Sequence, residues 1–184
     1  MNSSAKDTLM MSVAKKYAKQ SYSNTGKEGA VLELNGQILG ASYNGTIKGS
    51  LNICEEHSPC SEDEPGAVPC PACKGGTYTY GYTFGICPIC DNTGFLKPSK
   101  IKNKFYISAP INVISYCARK GISVKGSSLY VTRLPKLSDI PIIAQAGIKA
   151  VYYHTAKVKL GVNSKKTNKI LDFLEDCNMR IEKL

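Results

Sequence analysis

Ser108-Ala109-Pro110-Ile111-Asn112-Val113-Ile114, followed by Leu129-Tyr130-Val131-Thr132-Arg133-Leu134-Pro135-Lys136-Leu137-Ser138-Asp139, sets out a helix, a strand and a second helix within about thirty residues. Ser108 has the side chain of an N-cap, and Pro110 is tolerated in the first turn of a helix running to about Arg119 and stopped by Gly121. Ser128 to Thr132 is a β-branched and aromatic run, the composition of a buried strand. Ser138 is placed to cap another helix that ends at Gly147, and Ala150 to His154 reads as a further buried strand.

The N-terminal part extends the pattern. Residues 5–20 place Leu9, Met10, Val13, Ala14 and Tyr17 on one helical face, with Asp7 in the first turn where the helix dipole favours an acid. Ala30 to Leu34 and Gln37 to Ser42 are short apolar runs joined by Asn35-Gly36, the dipeptide suited to the positive φ angles of a type I′ hairpin. Asn163 or Ser164 opens a last helix through Asp176, before a closing strand. The order α-β-β-α-β-α-β-α-β predicts an α/β fold, a mixed sheet with helices on both faces. A chain of 184 residues suffices for one such domain and a small appendage.

The quoted segments resemble the two zinc-binding motifs of the zinc-dependent cytidine deaminase-like family, specifically the phage-type deoxycytidylate (dCMP) deaminases, with patterns H-A-E-x-N-A-I and L-Y-V-T-x-x-P-C-x-x-C. Further blocks follow in the same order: Lys27-Glu28-Gly29-Ala30-Val31, Ser42-Tyr43-Asn44-Gly45, Gln145 to Tyr153, and Ile170 to Glu182. The resemblance implies a three-layer cytidine-deaminase-like sheet formed by residues 1–53 and 97–184, interrupted by an insertion at 54–96. It also implies a catalytic zinc held by the His and two Cys, with the Glu shuttling protons. Those positions fall on Ser108, Pro110, Lys136 and Asp139. Neither Ser nor Lys replaces a soft zinc ligand, a lone Asp does not hold the ion, and Pro110 has no ionisable group. The expectation is a deaminase framework without catalytic residues or catalytic zinc. Asn44 is the candidate nucleotide-binding residue, because its counterpart in the family contacts the nucleoside.

The insertion carries the intact motif. Cys70-Pro71-Ala72-Cys73 and Cys87-Pro88-Ile89-Cys90 are two C-x-x-C pairs with thirteen residues between them, each followed by a Gly-bearing turn. The spacing is similar to zinc ribbons and to the cysteine-rich module of J-domain co-chaperones, and predicts a structural zinc held by four thiolates. Disulfides are the competing reading, disfavoured because no leader precedes the first helix and the chain reads as cytoplasmic, in a host cell if viral. Cys54, His57 and Cys60 form a second candidate zinc site lacking a fourth ligand, and Cys54 matches a ligand of an additional structural zinc in phage deaminases. Cys117 and Cys177 read as small core residues. Tyr78, Tyr80, Tyr82 and Phe84 alternate along what reads as one strand.

The formal net charge is +10, divided as +3 over residues 1–53, −5 over 54–96 and +12 over 97–184. Lys97, Lys100, Lys102 and Lys104 form one basic cluster, and Lys157, Lys159, Lys165, Lys166 and Lys169 another. Nucleic acid is the partner such charge suggests, against a merely solvated lysine surface. The scarcity of Arg favours the latter. No membrane span is expected. The sequence predicts a non-catalytic binding protein, with nucleic acid or a larger complex as its target. The alternatives are an oligomeric scaffold or partner of an active deaminase or a host protein, and a nucleotide sensor or sponge. An active deaminase would need another motif, of which Cys54-Glu55-Glu56 with Cys70-Pro71-Ala72-Cys73 is the nearest imitation.

Overall fold

The computed structural model describes residues 5–50, 52–74, 79–80, 83–155, 177 and 179–184. Its first half contains α1 (Ala5–Ala18), β1 (Gly29–Leu34), β2 (Gln37–Tyr43), β3 (Gly45–Thr46), β4 (Glu55–Cys60), β5 (Val68–Pro69), β6 (Thr79–Tyr80) and β7 (Thr83–Phe84). The second half contains β8 (Phe95–Lys102), β9 (Tyr106–Ile107), α2 (Ala109–Arg119), β10 (Ser128–Arg133), α3 (Ile140–Gln145), β11 (Ala150–Thr155) and β12 (Arg180–Lys183). The expected last helix, 163–176, lies outside the described residues, as do Tyr78, Tyr82 and the cluster Lys157, Lys159, Lys165, Lys166 and Lys169. Two compact units are formed, one from residues 1–21, 27–44 and 107–184, the other from 22–26 and 45–106. The second unit therefore reaches beyond 54–96 at both ends, because β4 pairs with β8, which runs on to Lys102.

In the first unit a five-stranded mixed sheet has the order β12-β11-β10-β1-β2. β1 is antiparallel to both β10 and β2, while β10, β11 and β12 run parallel. The β1–β2 turn has Asn35 at φ 52° and Gly36 at φ 85°, the left-handed pair a type I′ turn requires. Ala30 and Leu32 of β1, with Leu129 and Val131 of β10, pack on one face against Ala109, Val113 and Cys117 of α2 and Ile140 and Ile143 of α3. Val31 and Tyr130 point the other way, against Met10, Met11 and Ala14 of α1. Both central strands are thus buried on both faces, which explains their unbroken apolar runs. Cys117 is fully buried, but Cys177 is exposed and takes no part in the core.

Two helices differ from expectation. α1 buries Met10, Met11, Ala14 and Ala18, whereas Leu9 and Tyr17 are 56% and 39% exposed. The cause is close backbone approach: a Cβ on Gly29 would lie 2.0 Å from the Ala14 carbonyl oxygen and 2.6 Å from the Ala18 nitrogen. Only a face of small residues allows that contact, so helix rotation follows the alanines rather than the largest apolar side chains. Ser108 stands at the N-cap of α2 with extended backbone, yet its hydroxyl makes no capping bond, and α3 begins after Asp139 rather than at Ser138.

In the second unit β4, β8 and β5 form an antiparallel sheet in the order β4-β8-β5. Glu55 is buried and accepts hydrogen bonds from the Ser23 hydroxyl at 2.7 Å, the Thr25 hydroxyl at 2.9 Å and the Asn24 and Thr25 amides at 3.3 Å, besides an ion pair with Lys102. This fastens the 22–26 segment to the strands. Thr79 pairs with Phe84 and Tyr80 with Thr83, so β6 and β7 form an antiparallel pair where the aromatic alternation had suggested one strand.

Candidate functional site

The starts of α2 and α3 lie in the first unit, where the sequence located its first site. Ser108 and Asp139 are 4% and 7% exposed, and the Ser108 hydroxyl and Asp139 Oδ2 are buried without a hydrogen-bond partner. Ser138 donates instead to Asp139 Oδ1 at 3.3 Å. Pro110 is buried in the first turn of α2, and Lys136 is exposed.

Sequence reasoning missed Glu28. Its carboxylate Oε2 accepts from the Ala109 amide at 3.1 Å, at the start of α2 and next to Ser108. Burial pushes the Glu28 carboxyl above its ordinary range; the Ala109 bond opposes this, Asp139 adds to it, and Lys136 and Arg133 oppose it. The available signal was an acid directly before an apolar strand, in Lys27-Glu28-Gly29-Ala30-Val31. Asn44 is fully buried, accepts from the Glu28 amide at 2.6 Å through Oδ1, and donates its own amide to the Glu28 carbonyl at 3.0 Å. It braces the segment that carries Glu28.

A tetrahedral catalytic zinc does not fit these residues. Ser108, Pro110, Lys136 and Asp139 offer neither thiolate nor imidazole. The nearby carboxylate of Glu28 is already engaged by a backbone amide and influenced by two cationic side chains.

The second site fits a metal well. Cys70, Cys73, Cys87 and Cys90 bring their sulfurs within 4.8 Å of one another, with Cys70 and Cys87 at 3.8 Å and Cys73 and Cys90 at 3.5 Å. A regular ZnS4 tetrahedron with Zn–S of about 2.3 Å has S···S edges of about 3.8 Å. The separations far exceed a disulfide bond of about 2.05 Å. The two turns repeat one another: the Lys74 amide donates to the Cys70 carbonyl at 2.6 Å, and the Asp91 amide to the Cys87 carbonyl at 2.9 Å. Lys74 and Asp91 share left-handed backbone at φ 53° and 49°. Burial raises both the Cys70 and Cys90 thiols. It wins at Cys70, pushed up to about 12, whereas bonding from Gly94 and neighbouring thiols brings Cys90 down to about 7.

Cys54, His57 and Cys60 are not brought together. β4 is extended from Glu55 to Cys60, and at about 3.3 Å per residue its ends lie roughly 17 Å apart, too far for one ion. Among the described residues the four-cysteine group alone meets metal-ligand geometry. The basic cluster near β8 is partly neutralised, Lys97 pairing with Glu64 at 3.1 Å and Lys102 with Glu55. No helix among the described residues is long and apolar enough to cross a membrane.

A mixed sheet sandwiched between α1 and the α2–α3 pair is the cytidine-deaminase-like fold, here joined to a unit with a four-cysteine centre. No family model matches the chain. It is similar to phage deoxycytidylate deaminases: 29% identical over 150 residues to that of Enterobacteria phage T4, spanning 80% of this chain and 77% of that protein. The deoxycytidylate deaminase of Mycobacterium phage D29 is 27% identical over 147 residues, 80% of this chain and 92% of that protein. The dCMP deaminase of cyanophage S-TIM5 superposes with a TM-score of 0.63 at 22% identity, covering 100% of both chains, and shares the fold.

Proposed function

We propose that this chain is a deaminase-fold protein that has given up deamination and acts by binding, with a structural zinc on Cys70, Cys73, Cys87 and Cys90. The observation behind this reading is the start of α2: Pro110 stands where proton transfer needs a carboxylate, two residues from Ser108, whose buried hydroxyl is no soft donor for zinc. The charge of +12 over residues 97–184 supports nucleic acid as the target. Exposed Leu137 and Ile142, beside and within α3, support a protein partner or a second copy as the other reading.

Purified protein is expected to carry one zinc per chain by elemental analysis and to leave dCMP unchanged. Zinc-dependent turnover, or a second tightly held zinc, would overturn the non-catalytic reading. Binding of short DNA and RNA by fluorescence anisotropy is expected to fall linearly in log K against log salt. The slope should be shallower once Lys165 and Lys166 are replaced by Ala. A flat response at low salt turns the search to protein partners.

A further inference from the structure

We infer that the four-cysteine centre is a hydroperoxide-sensitive switch, in which the Cys73 sulfur is oxidised first and Cys90 closes a disulfide onto it. The inference rests on the structural zinc proposed above and gives that site a regulatory role. Cys70, Cys87 and Cys90 are fully buried, whereas Cys73 is half-buried. A small oxidant arriving from solvent therefore meets one sulfur of the four. Lys74, exposed and next in the chain, places a cation beside it, and partial exposure in a positive setting is what makes a cysteine reactive. Metal ligation adds the remaining requirement, since a ligating cysteine is held as thiolate, the form that attacks an oxidant.

The resolving sulfur is within reach. Cys73 and Cys90 belong to different turns, yet their Sγ atoms are 3.5 Å apart, against 3.8 Å for Cys70 and Cys87. A disulfide of about 2.05 Å requires that pair to close by about 1.5 Å. The Cys73 thiolate attacks one oxygen of the peroxide: an S–O bond forms, the O–O bond breaks, and the departing hydroxide or alkoxide takes a solvent proton. The sulfur is oxidised by two electrons to a sulfenic acid, and the peroxide is reduced. The Cys90 thiolate then attacks the Cys73 sulfur; an S–S bond forms and hydroxide leaves, to be protonated to water. Cys70 and Cys87 are left as two thiolates where a tetrahedral ion takes four ligands. The small apolar cluster built from these cysteines and Leu96 thereby loses its metal staple. A bridge between the two turns keeps both halves of the site together, so reduction by a thiol restores the ligand set.

Full-length protein is first assayed for zinc, then treated with hydrogen peroxide beside a chromophoric zinc indicator and a sulfenate-trapping 1,3-dicarbonyl, and its peptides are mapped by mass spectrometry. The assay before oxidation tests the reading on which this one rests: a site without zinc overturns both. With zinc present, release is expected to be at least tenfold faster with peroxide than without, one zinc for each Cys73–Cys90 disulfide, with the trap on Cys73. Melting of the second unit should shift down with release and return after dithiothreitol and added zinc. Zinc retained while the exposed Cys177 is oxidised overturns the switch and leaves the structural zinc standing. A first sulfenate on Cys70, Cys87 or Cys90, a disulfide within either C-x-x-C pair, or release that no thiol reverses overturns it equally.

Discussion

Glu28 and Glu55 are both buried carboxylates, and their surroundings give them opposite responses to pH. Glu55 would be raised by burial, but Lys102, Ser23, Asn24 and Thr25 outweigh it and bring it from 4.5 down to about 2. An acid depressed by folding stabilises the native state above its unfolded value and loses that contribution as pH falls through the folded one. The second unit is therefore expected to lose stability between about pH 4.5 and 2 in thermal melts. Lys102→Met should cost roughly 3–5 kcal/mol at neutral pH, since it strands a buried charge. Glu28 is raised, so its contribution is present at low pH and declines as pH climbs above 4.5. Glu28→Gln is expected to abolish that decline in the first unit, seen as melting temperatures that no longer drop toward alkaline pH. That Ser108, Pro110, Lys136 and Asp139 offer neither thiolate nor imidazole was legible at this scale, since residue identity alone decides it. Glu28 was not, because its partner amide lies 81 residues away in sequence.

At the scale of elements, local chemistry foretold the Asn35-Gly36 hairpin, the extent of α2 and the paired cysteine turns, because each is set by residues within a few positions of one another. It foretold less where a contact is long-range. The face of α1 is chosen by its approach to Gly29, and β4 holds Cys54 away from Cys60 because its ladder with β8 keeps it extended. Gly29→Ala should be severe, at about 4 kcal/mol or more, since the added methyl meets backbone that cannot step aside. Far-ultraviolet circular dichroism with a denaturant series measures it, and a loss under 1 kcal/mol would show that α1 can shift.

For the molecule as a whole, the colinear blocks made the deaminase-like sheet legible, while the limits of the second unit depended on strand partners that the motifs do not announce. The two units draw stability from different sources, a wide apolar core in one and a small four-cysteine cluster with Leu96 in the other. Small modules of this kind depend on their metal. Calorimetry with and without a strong chelator is expected to show one transition shifting down sharply and the other staying within a few degrees. Cys87→Ser should reproduce the shifted trace without chelator. A single transition moving as one would mean that the units fold together.

The pairing of β1 with β10 joins segments about a hundred residues apart, with residues 45–106 of the second unit emerging between them during synthesis. The four cysteines leave the ribosome while the first two strands still await the neighbour that will cover them. Any metal capture by these cysteines thus comes ahead of closure of the main sheet. A cell short of zinc would meet the growing chain at the stage when its apolar strands are least protected.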